Sequence, residues 1–479
     1  MSKVFSIVDF KEGLDVRKTP LTAPGGSLRI LENAVLNQGG EIEKRLAFVY
    51  MTTVPGGAPE TGGSPIMLTG QGSELHVFGF DAKTISAGSL PVPITYHQLA
   101  SPPETMIRIT DVEAFADKFY VCAQGASGYF YCWYNDVPVL EVDGSLSHGS
   151  YARTWRSKMY RIDGQYLRFS GVNDPANNDP ASTTSPGAGF INMALNDPDG
   201  EQLAAMEVYY SQMAVQARLQ TQLWSLDPDP TKDTLQQLLR IGNVAPRSTL
   251  QFGTGDVLFL SDSGVRSLRN AAFNTVAASV SDVGSAIDML LIPLVQNPPY
   301  TYWANRAEAV IQPLQGRYWL GIYDTIFVLS YFPAGHITAW STFKPGFAML
   351  NFALVNDMVF VLDANANIYL YGGTDRNTYD SCPVTVRTPH LSADKPTENK
   401  RIQSIDVMCQ GAWAINVGML PNNTEAFELA ANIQDNTFGL MSIPFAGYGT
   451  HFGVHMTHNA PGPAVMAALH FNLQEGVTK

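Results

Sequence analysis

Short runs of strand-forming residues recur along the chain, each headed by a polar residue or glycine. They begin at Ser73 (S-E-L-H-V-F), Asp117 (D-K-F-Y-V-C), Ser157 (S-K-M-Y-R-I), Ser211 (S-Q-M-A-V-Q), Gly255 (G-D-V-L-F-L), Gly316 (G-R-Y-W-L-G) and Asn356 (N-D-M-V-F-V). A turn and a second apolar run follow each copy. The starts are separated by 44, 40, 54, 44, 61 and 40 residues. A period in the forties built only of strands predicts β-propeller blades. One four-stranded sheet cannot bury its own faces, so such sheets stack radially around a central channel. The pattern predicts an all-β chain with a six- or seven-bladed propeller over residues 51–375. Fold alone supplies no function, which must lie in what the loops and the channel touch.

The flanks read differently. Residues 1–50 predict an extended N-terminal arm, because Pro20, Pro24, Gly25, Gly26, Gly39 and Gly40 interrupt regular structure. Between them, Leu28 to Leu36 fits one short helix or strand. Residues 51–72 read as a Gly/Pro/Thr-rich connector. Insertions between blades are expected at Asn173 to Asp199, too polar and proline-rich for a core, and at Asp227 to Ser248. The clearest helical pattern is Thr231 to Arg240, with Thr231 as its cap. After Gly372-Gly373 the repeat stops. Alternating runs such as I-D-V-M-C and A-I-N-V-G-M-L then predict a smaller C-terminal β domain over 376–479, of sandwich type and separate from the propeller.

Net charge is −13 and the sequence pI is about 5.1, which argues against a protein that grips nucleic acid over its surface. Residues 1–50 carry seven Lys/Arg and six Asp/Glu, a net of +1, so the remainder carries −14. Four cysteines are not a disulfide framework. Cys122 and Cys132 could face each other across a hairpin, and read as a reduced, buried pair. The N-terminus lacks a signal-peptide pattern, and no stretch approaches the length of a membrane-spanning helix. The apolar run around Met289 to Val295 is short and broken by Pro293. A soluble protein made in a cytoplasm is expected.

The search for chemistry yields no catalytic, cofactor-binding or metal-ligating residue. No phosphate-loop lysine motif, nucleophile elbow or H-E-x-x-H occurs. Gly253-Thr254-Gly255 reads as a turn. Asp363-Ala364-Asn365-Ala366-Asn367 begins like a calcium loop but has Ile368 where glycine is needed and Thr374 where the bidentate Glu belongs, so it reads as a hairpin turn. His451, His455 and His458 lie close in sequence, but strand alternation puts them on different faces. Tyr131/Trp133, Tyr318/Trp319 and Tyr369/Tyr371 suit a sugar-stacking surface or, more simply, packing between blades.

The arm resembles the opening of phage tail proteins that form the nozzle or hub of short-tailed virions, the tail tubular protein B-like, packaged-DNA stabilisation type. The matching residues are Phe10, Gly13, Asp15, Arg17 and Pro20, then Gly26 through Glu32-Asn33-Ala34, then Gly39-Gly40 and Lys44-Arg45. Leu46-Ala47 stands where that family often has Pro-Gly. Further matches are R-F-S-G-V-N-D-P (168–175), F-L-S-D-S-G-V-R-S-L (259–268) with D-V-G-S-A-I-D (282–288), and G-R-Y-W-L (316–320) with H-I-T-A-W-S (336–341). Their order along the chain carries the resemblance over most of residues 10–372.

The resemblance implies a structural, non-enzymatic virion protein, synthesised in the host cytoplasm and located in the tail. It implies a homo-oligomer, a hexamer, docked under a head–tail adaptor protein and contacting tail fibre, spike or needle proteins. Double-stranded DNA would pass its lumen without sequence recognition. The arm is then expected to lace into neighbouring subunits. The alternative is a glycan-binding or glycan-cleaving propeller of receptor-binding or lectin-like type.

Overall fold

The computed structural model describes residues 2–81, 85, 91–99, 101–134, 137–138, 148–197, 199–273, 282–296, 306–434 and 441–475. Seven small sheets follow one another along the chain as blades: 66–98, 106–138, 151–192, 203–239, 250–267, 308–343 and 349–371. The first strand of each blade lies beside the first strand of the next, and that of blade 7 lies beside that of blade 1, so the ring closes. The closure is double. The outer strand of blade 7 is Phe48–Thr53, which pairs antiparallel with Asn367–Tyr371. Residues 48–50, read as arm, and 51–53, read as connector, therefore belong to the propeller.

All seven run starts fall at the turn between the first and second strands of a blade. The second strand is sandwiched between two neighbouring blades. Arg317–Ile322 and Met358–Asp363 are buried at every position, and Gln212–Ala217 and Asp256–Ser261 at all but the first. Burial on both faces gives an unbroken apolar string. The turn before it needs residues that tolerate positive φ. At Arg156-Ser157 (45° and 61°) and Asn356-Asp357 (48° and 62°) both central residues do so, the geometry that matches the twist of a two-residue hairpin.

Seven apolar clusters correspond to the seven interfaces. Alternate residues of one strand serve two of them: Phe119 and Val121 pack toward Met67 and Phe78 of blade 1, whereas Tyr120 and Cys122 pack toward Ala152 and Met159 of blade 3. Trp319 lies between blades 6 and 7 with Phe352 and Val361, while its neighbour Tyr318 faces blade 5 with Leu258 and Leu260. Each such side chain contributes about 1.5–3 kcal/mol on burial, so apolar contact between blades dominates the ring's stability.

Two expectations about the insertions are corrected. Thr231 to Arg240 is not a helix: a short 3-10 turn at Pro230–Lys232 leads into Thr234–Leu239, the outer strand of blade 4. Leu235, Leu238 and Leu239 follow the helical i, i+3, i+4 spacing, and pairing with Thr221–Ser225 decides for the strand. The polar insertion expected over 173–199 divides: residues 173–188 lie within blade 3, between its third strand Tyr166–Phe169 and fourth strand Gly189–Asn192, and a 3-10 turn at Met193–Asn196 follows that strand. Among the described residues blade 5 has three strands. The helix Leu268–Phe273 follows them, then the helix Asp288–Gln296, which contains Pro293.

The C-terminal region packs two sheets face to face. Ile402, Ile405, Leu469 and Phe471 from one meet Val386, Ile415, Val454 and Met456 from the other in a shared core. This domain is not separate from the propeller. The arm strand Ile30–Glu32 pairs with Ile337–Phe343 of blade 6 on one side and with Val384–Arg387 on the other. One sheet thereby runs from the propeller axis through the arm into the C-terminal domain. Ala34–Leu36 and Ile42–Lys44 extend the other C-terminal sheet, and Ser2–Ile7 pairs with Val465–Glu475. The arm is extended, as expected, but the backbone partners it needs come from its own chain.

Candidate functional site

Two places gather chemistry-bearing side chains: the propeller axis and the joint made by the arm. At the axis, polar residues of the innermost strands form a circuit that touches every blade. Leu68 N–H of blade 1 donates to Asn351 Oδ1 of blade 7 at 2.7 Å. Asn351 Nδ2 donates to both carboxylate oxygens of Glu308 of blade 6, at 3.0 and 3.1 Å. Arg247, on the turn leading into blade 5, donates to Glu308 Oε1 at 2.6 Å and to Asp111 Oδ1 of blade 2 at 2.7 Å. Asp111 Oδ2 accepts from Ala152 N–H and from Arg153 of blade 3, at 3.0 and 3.2 Å. Arg153 Nε reaches Glu207 of blade 4 at 3.3 Å.

Blades 2 and 5 stand on opposite sides of a seven-membered ring. Arg247 therefore reaches across the axis to Asp111 while also bonding Glu308. Burial works against the Arg247 charge, but Glu308 and Asp111 outweigh it and hold the guanidinium protonated. Asp111, Glu113, Glu207 and Glu308 face only two arginines here. Glu113 responds to that imbalance. Burial pushes its carboxyl up to about 7, against the pull of Arg153 and the Thr154 N–H, with Asp111 and Glu207 adding to the rise.

Above this floor the axis opens into a cavity of about 640 Å³, at the end where the innermost strands begin. Its charged side chains are already engaged. Arg306 faces Glu60 at 3.8 Å, Arg108 donates to Gln124 Oε1 at 2.9 Å, and Asp163 accepts from Arg168 at 2.7 Å with His148 at 3.8 Å. Tyr129 lines the cavity, is 60% exposed and stacks on His148 with ring centres 5.8 Å apart.

The joint holds several of the arm residues that carry the sequence resemblance. Phe10 is fully buried. Gly13 has φ of +60° and pairs with Trp340 of blade 6; a Cβ there would lie 2.7 Å from Ala339 Cβ. Asp15 takes a bidentate ion pair from Arg17, at 3.0 and 2.6 Å. Asn33 sits at φ of 56° and links three segments: its Oδ1 accepts from Arg45 Nε and Lys344 N–H, and its Nδ2 donates to Pro383 O. The Lys44 ammonium donates to the carbonyls of Asp380 and Ala460, at 2.6 and 2.8 Å. Arg45 donates to Leu46 O and to Asp380 Oδ2, and lies over the Phe48 ring.

The side chains singled out in sequence are dispersed among structural tasks. Asp363 organises a hairpin turn, accepting from the N–H groups of Asn365 and Asn367. His458 is held between the carbonyls of Ala412 and Ala460, His455 packs against Phe427, and His451 bonds Thr450. Among the described residues no group of His, Cys, Asp and Glu is placed to hold a metal ion. Cys122 and Cys132 do face each other across their hairpin, as buried thiols with sulfurs 3.3 Å apart. Tyr131, Trp133, Tyr318, Trp319 and Tyr371 are buried, and Tyr369 stacks on Phe347, so these pairs form no open stacking surface. Exposed aromatics lie elsewhere, Tyr129, Tyr166 and Phe190 among them. They occupy loop and strand-end positions, which carry no periodic signal.

No protein-family profile and no curated protein matches the chain. Solved structures give loose likenesses, each with a TM-score of 0.35. One is a chain of the mitotic checkpoint complex, at 9% identity over 77% of this chain and 90% of that one. Another is BamB from Moraxella catarrhalis, at 11% identity over 69% and 97%. A third is the computationally designed Ika8 protein, at 10% identity over 68% and 99%. Likeness at that level carries no argument, and the propeller rests on the strand pairing described above.

Proposed function

We propose that the chain is a structural subunit of a short bacteriophage tail, forming the nozzle below the head–tail adaptor. In this reading it assembles as a homohexamer, retains the packaged genome and conducts DNA during ejection. The observation that carries the proposal is the coincidence of motif and joint. Several arm residues that resemble the tail family, Gly13, Asn33, Lys44 and Arg45, tie the arm to blade 6 or to the segment that enters the C-terminal domain, while Asp15 and Arg17 pair within the arm. A resemblance confined to scattered surface positions would have no such structural reason.

The axial circuit constrains how a nozzle would work. With Arg247 bonded across the axis, DNA has no path through a single propeller. The passage in this proposal lies between subunits, lined by an acidic chain. Phosphates would find few cations there, so the duplex is repelled from the wall and slides. The polar insertion at 173–199 is one candidate for a gate.

Light scattering on purified protein, with electron microscopy of the particles, tests the proposal. A sixfold ring of 52.2-kDa subunits, alone or on addition of a head–tail adaptor, is the expected result. A protein that stays monomeric with adaptor present, or a ring with a continuous basic lumen and tight DNA binding at physiological salt, overturns it. Reproducible polysaccharide hydrolysis by the purified chain would favour the glycan-directed alternative.

A further inference from the structure

The axial cavity is assigned no task by the nozzle reading, and its chemistry is specific. Its volume of about 640 Å³ lies within the roughly 300–1,000 Å³ of small-ligand sites. Every charged side chain that lines it is engaged with a protein partner: Glu60 with Arg306, Arg108 with Gln124, Asp163 with Arg168, and Arg247 with Asp111 and Glu308. Beneath the floor, carboxylates outnumber arginines. A net-charged ligand therefore gains little: Arg247 and Arg306 already face carboxylates, an anion at Arg108 would displace the Gln124 amide and approach the carboxylates beneath the floor, and a cation must break existing pairs. What remains are planar donors and acceptors, fixed in orientation by their partners, that can share one more hydrogen bond without a change of charge.

Beside them stands an exposed ring. Tyr129 lines the cavity and stacks on His148, another lining residue, at an interplanar angle of 15°. Ser127, two residues away, is fixed by Glu104, which accepts from its N–H at 2.8 Å and from the Tyr131 hydroxyl at 3.1 Å. A second aromatic group, on blade 3, is linked to the cavity through the lining residue Asp163. Asp163 holds Arg168, whose guanidinium lies 5.6 Å from the centre of Tyr166 and 5.8 Å from that of Phe190. Those two rings meet edge to face at 5.6 Å and remain 36% and 56% exposed. Exposed aromatic faces alternating with charge-paired, pre-oriented polar groups fit a ligand with apolar C–H faces and many hydroxyls.

We propose that the axial cavity binds a neutral saccharide, with one pyranose ring against Tyr129 and the chain continuing outward over Tyr166 and Phe190. This goes beyond the nozzle reading and does not rest on it: a tail subunit with this site would touch cell-surface polysaccharide.

The test is calorimetric titration of the full chain with neutral probes: maltose, cellobiose, lactose and N,N′-diacetylchitobiose, with the trisaccharide of each series. The expected result is saturable binding of at least one series, unchanged when NaCl is raised to about 0.5 M, where surface charge is strongly screened. Tyr129→Ala is expected to weaken it about tenfold, the upper end of what one aromatic face contributes. Phe190→Ala is expected to weaken the trisaccharide and leave the disaccharide unchanged. Both side chains are exposed, so both variants should melt with the parent, and that comparison excludes misfolding. No saturable binding by any probe, affinity unaffected by Tyr129→Ala, or affinity that falls with salt would overturn the proposal. Ring assembly is read separately by light scattering, so failure here and failure of the nozzle reading are distinguishable.

Discussion

The axis and the joint both bring together residues that lie hundreds of positions apart in the chain, and they do so with opposite electrostatics. At the axis, four carboxylates face Arg153 and Arg247, and nearly every link is side chain to side chain. At the joint, two buried cations, Lys44 and Arg45, meet one carboxylate, Asp380, and backbone carbonyls supply most of the other acceptors. The axis is a ring of like elements, each offering a side chain to the centre. The joint is a seam between unlike elements, where side chains satisfy main-chain groups that no regular sheet covers. Loss of one partner at the axis leaves a buried charge. Loss of the arm at the joint leaves sheet edges and carbonyls unsatisfied over a whole domain.

Removal of residues 1–45 gives the largest expected effect. It keeps Phe48–Thr53, so the propeller retains its closing strand. It deletes the strand between blade 6 and Val384–Arg387, and both partners of Val465–Glu475 that come from the arm. The C-terminal domain is expected to lose its cooperative structure while the propeller stays folded. Limited proteolysis should then remove residues after about 375 and leave a stable core. A truncated protein that resists proteolysis throughout would show that the arm is dispensable to the domain and free to serve neighbours.

Next in size is Arg247→Met. Asp111 and Glu308 are almost fully buried, and each loses its closest cation. Breaking a buried pair from one side costs about 3–5 kcal/mol, and the lower end applies because Asp111 keeps Arg153 and Glu308 keeps Asn351. Denaturant titration should show the loss. Adding Glu308→Gln should recover part of it, because the second change removes the stranded charge; strict additivity of the two would mean that the circuit is not coupled.

The sign of the pH response separates the regions further. Glu113 has its folded-state pKa pushed up to about 7 by burial, above an unfolded value of about 4.3. Between those values the folded chain binds a proton that the unfolded chain does not. Stability from this group is therefore full below about pH 4 and lost as pH rises through 7. Asp380 runs the other way. Burial opposes its charge, but Arg45 and the hydrogen bonds from Cys382 hold its carboxyl below the ordinary range. Its contribution is present above the ordinary carboxylate range and lost as pH falls through the lowered value. Melting temperature against pH should flatten between about 4 and 7 in Glu113→Gln and keep its slope outside that window. An unaltered slope between about 4 and 7 would remove Glu113 as its source.

Much of this fold is legible in the chain for one physical reason. A strand buried on both faces must be apolar throughout, and the turn before it must admit positive φ, so each blade announces itself at its first hairpin. The outer strands give no such signal. Thr234–Leu239 is largely exposed, and its leucines follow a helical period. Ile30–Glu32 is only three residues long, yet it fuses the sixth blade to the C-terminal domain. The axial circuit is illegible for another reason. Asp111, Arg153, Glu207, Arg247, Glu308 and Asn351 are single polar residues in separate blades, and only ring closure brings them together. Tyr129 and Phe190 sit where neither period nor turn chemistry constrains a residue, so their exposure had to be seen.

The smallest expected effect is the sharpest control on the account of the axis. Arg218 and Asp262 also form an ion pair between adjacent blades, at 3.1 Å and with two hydrogen bonds, so its geometry matches the axial pairs. It differs in solvent. The Arg218 side chain is 66% exposed, against 23% for Arg247. In water the Coulomb gain is screened, the long side chain pays entropy to hold its place, and the released aspartate rehydrates freely. Arg218→Ala is therefore expected to cost no more than about 0–1 kcal/mol in the same denaturant titration, and less in high salt. Equal losses from Arg218→Ala and Arg247→Met would mean that charge pairing between blades, rather than burial of the axial carboxylates, sets the cost, and the distinction between axis and surface would fall.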